Sequence, residues 1–352
     1  MSASSSRLRH LPFQWVDQKD GVIVKRGCSE VKISGSGAAH VLRIIFAKTA
    51  GDGATPEEIC CHFAQPYRAT VRHVVDELTD RRFLVNAEGP DLALDGSETP
   101  LDILYWHFDA TAHAVADRLN QKTVALVGVN AVSAQLLHTL TTSGVRNITL
   151  VDHPLLRHYS ACNPRGWWNA SPALAPPLPF SEWLPNVQET PPDCIVVAAE
   201  TECRTLFQEI NAFCLRHSCH WLPVYLHNVR GYIGPFVIPG ETACYECLLA
   251  RWNSHTSPPW TAIDPPDPHI VGFHPSMAFL LGDLAAFELT RRYSQILPPS
   301  PVGTLIEVNL LAMQLIARKV LKVPRCPSCS SMKCTSSITL DRDAFLDSRP
   351  DS

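Results

Sequence analysis

The fold class read from the sequence is α/β: an N-terminal winged helix-turn-helix, then a doubly wound Rossmann-type sheet with a zinc-stapled strand extension. Three observations predict it. Residues 12–87 pass through short strands, three helical segments and a closing strand. Residues 122–152 run apolar strand, glycine, helix, then a second apolar strand ending in an acid. Two C-x-x-C pairs stand at 244–247 and 326–329. A chain of 352 residues is longer than one hydrophobic core usually supports, so two domains are expected.

In the first part, "FQWVDQ", "GVIVKR" and "EVKIS" have the short β-forming pattern, with Gly21 and Gly27 marking turns. Apolar residues at helical spacing from Ala38 to Phe46 predict the first helix. "TPEEICCHF" opens the second with Thr55 as N-cap, Pro56 at the first position and two acids in the first turn. A third, "RATVRHVVDELTDR", puts Val71, Val74, Val75 and Leu78 on one face before "FLV" closes the unit as a strand. "EGPDLALDGSETP" is acidic and aperiodic, and "LDILYWHFDATAHAVADRLNQ" after it reads as one helix. The expected divisions are 1–90 for the winged helix, 91–121 for linker and connecting helix, 122–340 for the α/β part and 341–352 for a tail.

The second part begins with a βαβ unit, and Asp152 lies near the spacing from Gly128 at which a carboxylate meets a ribose hydroxyl. A pyrophosphate-binding turn would carry further glycines at 130 and 133, where this chain has Asn130 and Ser133. Side chains there keep a phosphate from the backbone amides, which favours a structural turn over a ligand-bearing one. "DCIVVAAE" continues the parallel sheet, and "HWLPVYLHNVRGYIGPFVIPG" supplies two strands joined through Gly231. "SMAFLLGDLAAFELTRRY" is a long helix, and "VGTLIEVNLLAMQLIARKVL" reads as two strands.

Composition excludes several classes. The net charge is −4, and the third helix presents Arg68, Arg72, His73, Asp76, Glu77 and Asp80, a mixed face without the cationic excess that duplex binding needs; nucleic acid is not expected as a partner. No stretch approaches the roughly 20 apolar residues of a membrane span, and the first residues lack the apolar core of an export signal. A cytoplasmic protein without membrane contact is therefore expected. Thirteen cysteines then sit in a reducing compartment, where clustered thiols bind metal more often than they pair.

Cys244, Cys247, Cys326 and Cys329 form two knuckles, each in turn-forming sequence, that can close a tetrahedron around zinc. Redox-active pairs and incidental buried thiols are the alternatives, and duplicated knuckles are the stronger argument for metal. Four protein ligands leave no open position, so the ion would be structural. Cys334 stands nearby as a spare ligand, with Arg251, Arg325 and Lys333 placed to offset the charge.

A Rossmann half with "VDHPLLRHYSACNPR" after its second strand, followed by "GYIGPFVIPGETACYECLLARW" and a final C-x-x-C, resembles the ThiF-like superfamily of ubiquitin-activating and related adenylating proteins. With the winged helix in front, the whole chain resembles the leader-peptide-binding partner proteins of azoline-forming cyclodehydratases. The resemblance implies a winged-helix element that recognises the leader of a ribosomally made precursor peptide. A separate YcaO-type enzyme then uses ATP to form thiazoline or oxazoline rings, and the scaffold pairs as a homodimer. It also implies a nucleotide site matched at Gly128 and Asp152, and partly at Ser160, Asn163 and Arg165. The lysine such sites use is missing, since none lies between Lys122 and Lys319, and Glu200 or Glu202 stands near the place of an aspartate. Without a cation facing the triphosphate its charge is uncompensated, so the site reads as vestigial and no ATP chemistry is expected of this chain. Arg146, Arg157, Arg165, Arg204 and Arg230 remain as substitute cations.

The peptide-binding mode that the resemblance implies is strand addition to Glu30, Val31, Lys32, Ile33 and Ser34, beside a groove lined by Arg68, Val71, Arg72 and Val75. The expected function is to bind a precursor leader and present it to the cyclodehydratase. The alternative is a stand-alone ATP-dependent enzyme that adenylates a peptide carboxylate or amide.

Overall fold

The computed structural model describes residues 6–88, 99–158, 176–255, 272–298 and 301–330. The chain divides into two units, residues 1–115 and 116–352.

In the first unit, β2 (Gln14–Gln18), β3 (Gly21–Arg26) and β4 (Ser29–Ser34) form an antiparallel meander in that order, with β4 at one edge. Alternation decides which face is inward: Val22 and Val24 of β3 are buried while Ile23 between them and Lys25 after them are not. Three helices follow, α1 (Ala38–Lys48), α2 (Pro56–Cys61) and α3 (Arg68–Asp80). The start of α2 is fixed by a capping box: Thr55 Oγ1 accepts from the Glu58 amide at 3.1 Å, and the Glu58 carboxylate accepts from the Thr55 amide at 2.8 Å. Val22, Val24, Leu42, Ile45, Ile59 and Leu78 meet in one core. Truncating Leu42, Ile45, Ile59 or Leu78 to alanine costs about 2–5 kcal/mol.

Two elements were not legible in the sequence. β1 (Leu8–His10) pairs antiparallel with β5 (Leu84–Asn86), although its three residues carry no periodic signal. The single helix expected after residue 100 is two, α4 (Pro100–Trp106) and α5 (Ala112–Asn120). Between them Asp109 adopts a left-handed conformation, φ 61°, and Thr111 Oγ1 caps the new start by accepting from the Ala114 amide. α4 packs with the first unit, where Arg82 donates to the Trp106 carbonyl and the Arg26 guanidinium lies 4.9 Å from the Trp106 ring centroid. The unit therefore runs on to Val115, well past residue 90.

The second unit is built on an eight-stranded sheet. Its strands are β6 (Val124–Val127), β7 (Ile148–Asp152), β8 (Leu178–Pro179), β9 (Cys194–Ala199), β10 (His220–His227), β11 (Arg230–Ile233), β12 (Thr304–Asn309) and β13 (Gln314–Lys319). The spatial order is β13-β12-β11-β10-β9-β6-β7-β8, parallel from β8 to β10 and antiparallel from β10 to β13. This is a Rossmann-like mixed sheet. β6 and β9 are buried at every position, as a strand covered on both faces must be.

Five helices accompany the sheet: α6 (Ala131–Thr142), α7 (Phe180–Val187), α8 (Arg204–His217), α9 (Tyr245–His255) and α10 (Pro275–Ser294). Ala125, Val127, Ile195, Val197 and Trp221 point into one core shared with α7, α8 and α9. α10 lies against α6. Gly282 permits that approach, since a Cβ there would stand 2.7 Å from the Val132 carbonyl oxygen. Gly231 does not form the β10–β11 turn as expected; it lies within β11, and Asn228 makes the turn at φ 53°. Asparagine enters that conformation more readily than most residues, and Asn228 Oδ1 here accepts from the Gly272 amide at 3.3 Å.

Candidate functional site

The two knuckles come together. Cys244 and Cys247 sit at the start of α9, Cys326 and Cys329 in the turns after β13, and their four sulfurs lie within 4.8 Å of one another. Sγ separations are 3.9 Å for Cys244–Cys247, 3.6 Å for Cys244–Cys326 and 3.5 Å for Cys247–Cys329. A tetrahedral ion with 2.3 Å bonds to sulfur requires an edge of about 3.8 Å, so the sulfurs already have the spacing of a four-thiolate site. The residues fit a metal ion. When bound, it would tie the chain after β13 to α9 and, with four ligands, offer no open position for chemistry.

Neighbouring groups fix the knuckles. The Val323 amide donates to Cys247 Sγ at 3.3 Å. Arg251 donates from Nε and Nη2 to the carbonyls of Leu321 and Lys322, holding the segment that carries the second knuckle. Burial pushes the Cys244 thiol well above its ordinary value and Cys329 up to about 11. Cys326 is also penalised by burial, but hydrogen bonds from the amides of Cys329 and Ser328 and from the Cys247 and Cys244 thiols together hold it below its usual range. A cation among the sulfurs is what would favour the thiolate at all four. Cys334 and Lys333 lie outside the described residues.

The turn between β6 and α6 is closed by its own side chains. Gly128 has φ 127°, and a Cβ there would lie 2.3 Å from the Ala198 carbonyl oxygen. Asn130 Oδ1 accepts from the Ser133 amide at 3.1 Å, and Ser133 Oγ accepts from the Asn130 amide at 3.0 Å. The Asn130 side-chain amide also donates to the carbonyls of Leu156 and Ala198, at 2.9 and 2.8 Å. Glu200 Oε1 accepts from the Ala131 amide at 2.9 Å, while Oε2 meets His158 Nδ1 at 2.7 Å. Thus the amides of Asn130, Ala131 and Ser133, which an anion would use at a helix N-terminus, are satisfied internally, one of them by a carboxylate. Burial raises the pKa of Glu200, against the lowering effects of the Ala131 amide and His158.

The other nucleotide candidates are engaged as well. Asp152 makes a two-point pair with Arg157. Glu202 accepts from the Tyr245 hydroxyl at 2.7 Å and lies 3.9 Å from Arg204. Arg230 pairs with Glu307. Ser160, Asn163 and Arg165 lie outside the described residues.

In the first unit, β4 has a free edge, with Glu30, Lys32 and Ser34 exposed, Ile33 half-buried and Val31 turned inward. Lys32 stands 3.7 Å from Asp20, both side chains at least half exposed. Val71 and Val75 belong to the unit's own core at 2% and 0% exposure, so a groove beside α3 would be lined by the half-buried Val74 instead. Arg68 donates to the carbonyls of Phe63 and Cys61, and Arg72 pairs with Glu57 and Asp76. Sequence reasoning missed the contacts to Cys61, Phe63 and Glu57 because those partners are set by the packing of α2 on α3, whereas Arg72–Asp76 is a local pair four residues apart on α3.

No family model and no curated protein match the chain. Solved structures do. E. coli MccB superposes with a TM-score of 0.62 at 13% identity, over 94% of this chain and 98% of that one. The heterocyclase TruD superposes at 0.54 and 17% identity, over 92% and 43%. The fold is that of MccB and the TruD heterocyclase. A heterocyclase solved with substrate and cofactor gives 0.54 at 16% identity over 92% of this chain, which spans only 40% of that one. At the level of fold, these neighbours bear out the resemblance drawn from the sequence. MccB has also been solved with MccA and with ATP. Among the described residues, no helix is long and apolar enough to cross a membrane.

Proposed function

We propose that this protein binds the leader of a ribosomally made precursor peptide and presents it to a separate YcaO-type enzyme, which forms the azoline rings with ATP. The observation that carries this reading is the self-filled α6 turn. The chain has the fold of a heterocyclase and of MccB, yet the amides that would hold a phosphate are taken by Asn130, Ser133 and Glu200. The first unit serves as a winged-helix recognition element, with the edge of β4 taking the leader as an added strand. Main-chain pairing supplies affinity, and Lys32 supplies charge selectivity. Zinc at the four cysteines is structural, and the scaffold works as a homodimer in the cytoplasm.

The test is binding of a leader-bearing precursor to the purified full-length protein without ATP, read by fluorescence anisotropy, alongside pyrophosphate exchange. The reading expects binding without nucleotide, no exchange above background, and loss of binding when Lys32→Glu is combined with N-methylation of the leader backbone. A second reading is a stand-alone enzyme that adenylates a peptide carboxylate or amide. It is favoured by the near-complete coverage of MccB, 98% of that chain, against 43% of TruD. Robust exchange with peptide alone would select it.

A further inference from the structure

The antiparallel end of the second unit's sheet carries a cavity of about 550 Å³ that neither the cysteine cluster nor the α6 turn uses. Its size falls within the range of ligand pockets. Tyr232 and Trp252 form an apolar wall, their rings edge to face at 5.5 Å. Around them stand Arg230, Arg251, Arg318 and Lys319, and among the described residues the cavity is lined by one carboxylate, Glu307.

That carboxylate does not neutralise the rim. Glu307 accepts from Arg230 Nη1 at 2.9 Å and from Arg318 Nε at 2.8 Å. Each guanidinium carries five N–H donors, so both retain donors for a second anion, and their side chains are 52% and 56% exposed. Arg251 bonds the carbonyls of Leu321 and Lys322, and Lys319 that of Val302, contacts that satisfy N–H groups while leaving the charge in place. A chain of net charge −4 thus concentrates cations on one concave face.

Beside the cavity, β13 is the last strand of the sheet and exposed along its whole length, with Leu315 at 55% and Ile316 at 40%. Its outer edge offers main-chain donors and acceptors to an added strand. A small phosphorylated anion would use the cations but has no need of the strand edge. An apolar peptide would use the edge but not the cations.

We propose that β13 and the adjoining cavity bind an extended polypeptide segment that carries acidic residues and one bulky apolar residue at every second position, added as a further strand of the sheet. Period-two alternation places one set of its side chains over the cavity face, with carboxylates meeting Arg230 and Arg318 and a bulky apolar group meeting Trp252. This site lies in the second unit and does not depend on leader capture by the first.

The experiment uses full-length protein and a fluorescein-labelled peptide, Phe-Thr-Glu-Thr-Glu-Thr, read by anisotropy. Binding about tenfold tighter than to the glutamine counterpart is expected, with loss on N-methylation of the peptide backbone. The Arg230→Gln/Arg318→Gln variant should weaken binding about fivefold. Both replaced arginines are more than half exposed, and an unchanged melting curve of the double variant verifies its fold. Equal affinity for the two peptides, unchanged affinity in the double variant, or displacement by millimolar inorganic phosphate would each overturn the proposal. So would absence of binding, which would leave the cations as guards of an exposed edge.

Discussion

The α6 turn and the four-cysteine cluster are both places where a chain can hold a ligand, and they are built in opposite ways. At the turn, Asn130, Ser133 and Glu200 use up the amides that would face an anion. At the cluster, four sulfurs stand at the spacing an ion would impose, and no cationic side chain bonds them among the described residues. A ligand site shows itself as coordination capacity that the protein leaves unmet. The cluster has that capacity and the turn has spent it.

The largest effect expected from this contrast is at the cluster. Cys247→Ser, or exhaustive chelation, should abolish bound metal and destabilise the second unit by about 4 kcal/mol or more, checked by elemental analysis and thermal melting. Full stability without metal would break the contrast from that side. Next comes Asn130→Ala, which removes a helix cap and two further hydrogen bonds in a fully buried place. A loss of about 3 kcal/mol in denaturant unfolding is expected.

Glu200→Gln tests whether charge or mere occupancy closes the turn. The amide oxygen still accepts from Ala131, so stability should change by only about 1 kcal/mol, and calorimetry should detect no gain of ATP binding because the sequence has no lysine between Lys122 and Lys319. Acquisition of tight ATP binding would show that the carboxylate alone excluded it. The smallest effect is in the pH profile. The folded-state pKa of Glu200 is raised by burial, so its contribution is full below the ordinary carboxylate value and declines as pH rises through the raised one. Stability of the wild type measured across that window should fall relative to Glu200→Gln, and parallel profiles would refute the assignment.

Much of the fold was legible because periodicity reports burial. The runs 124–127 and 194–199 are apolar at every position and became central strands, and Thr55 with Pro56 opened α2 where capping chemistry placed it. β1 was missed because three residues cannot display a period. The break after α4 was missed because Asp109 takes a left-handed conformation that its sequence context does not announce. Val71 and Val75 share the face of α3 with Val74, and nothing in their spacing says which of them the core would claim.

By itself the sequence determined the two-part organisation, the parallel sheet and the identity of the four sulfurs, since these depend on local pattern and on residue type. Only the tertiary structure decided that Cys244 and Cys326 stand 3.6 Å apart, that Glu200 reaches the start of α6, and that Arg230, Arg251 and Arg318 gather around one cavity. Each of these joins residues distant in the chain, and such distances are set by how strands and helices stack, which no local spacing encodes.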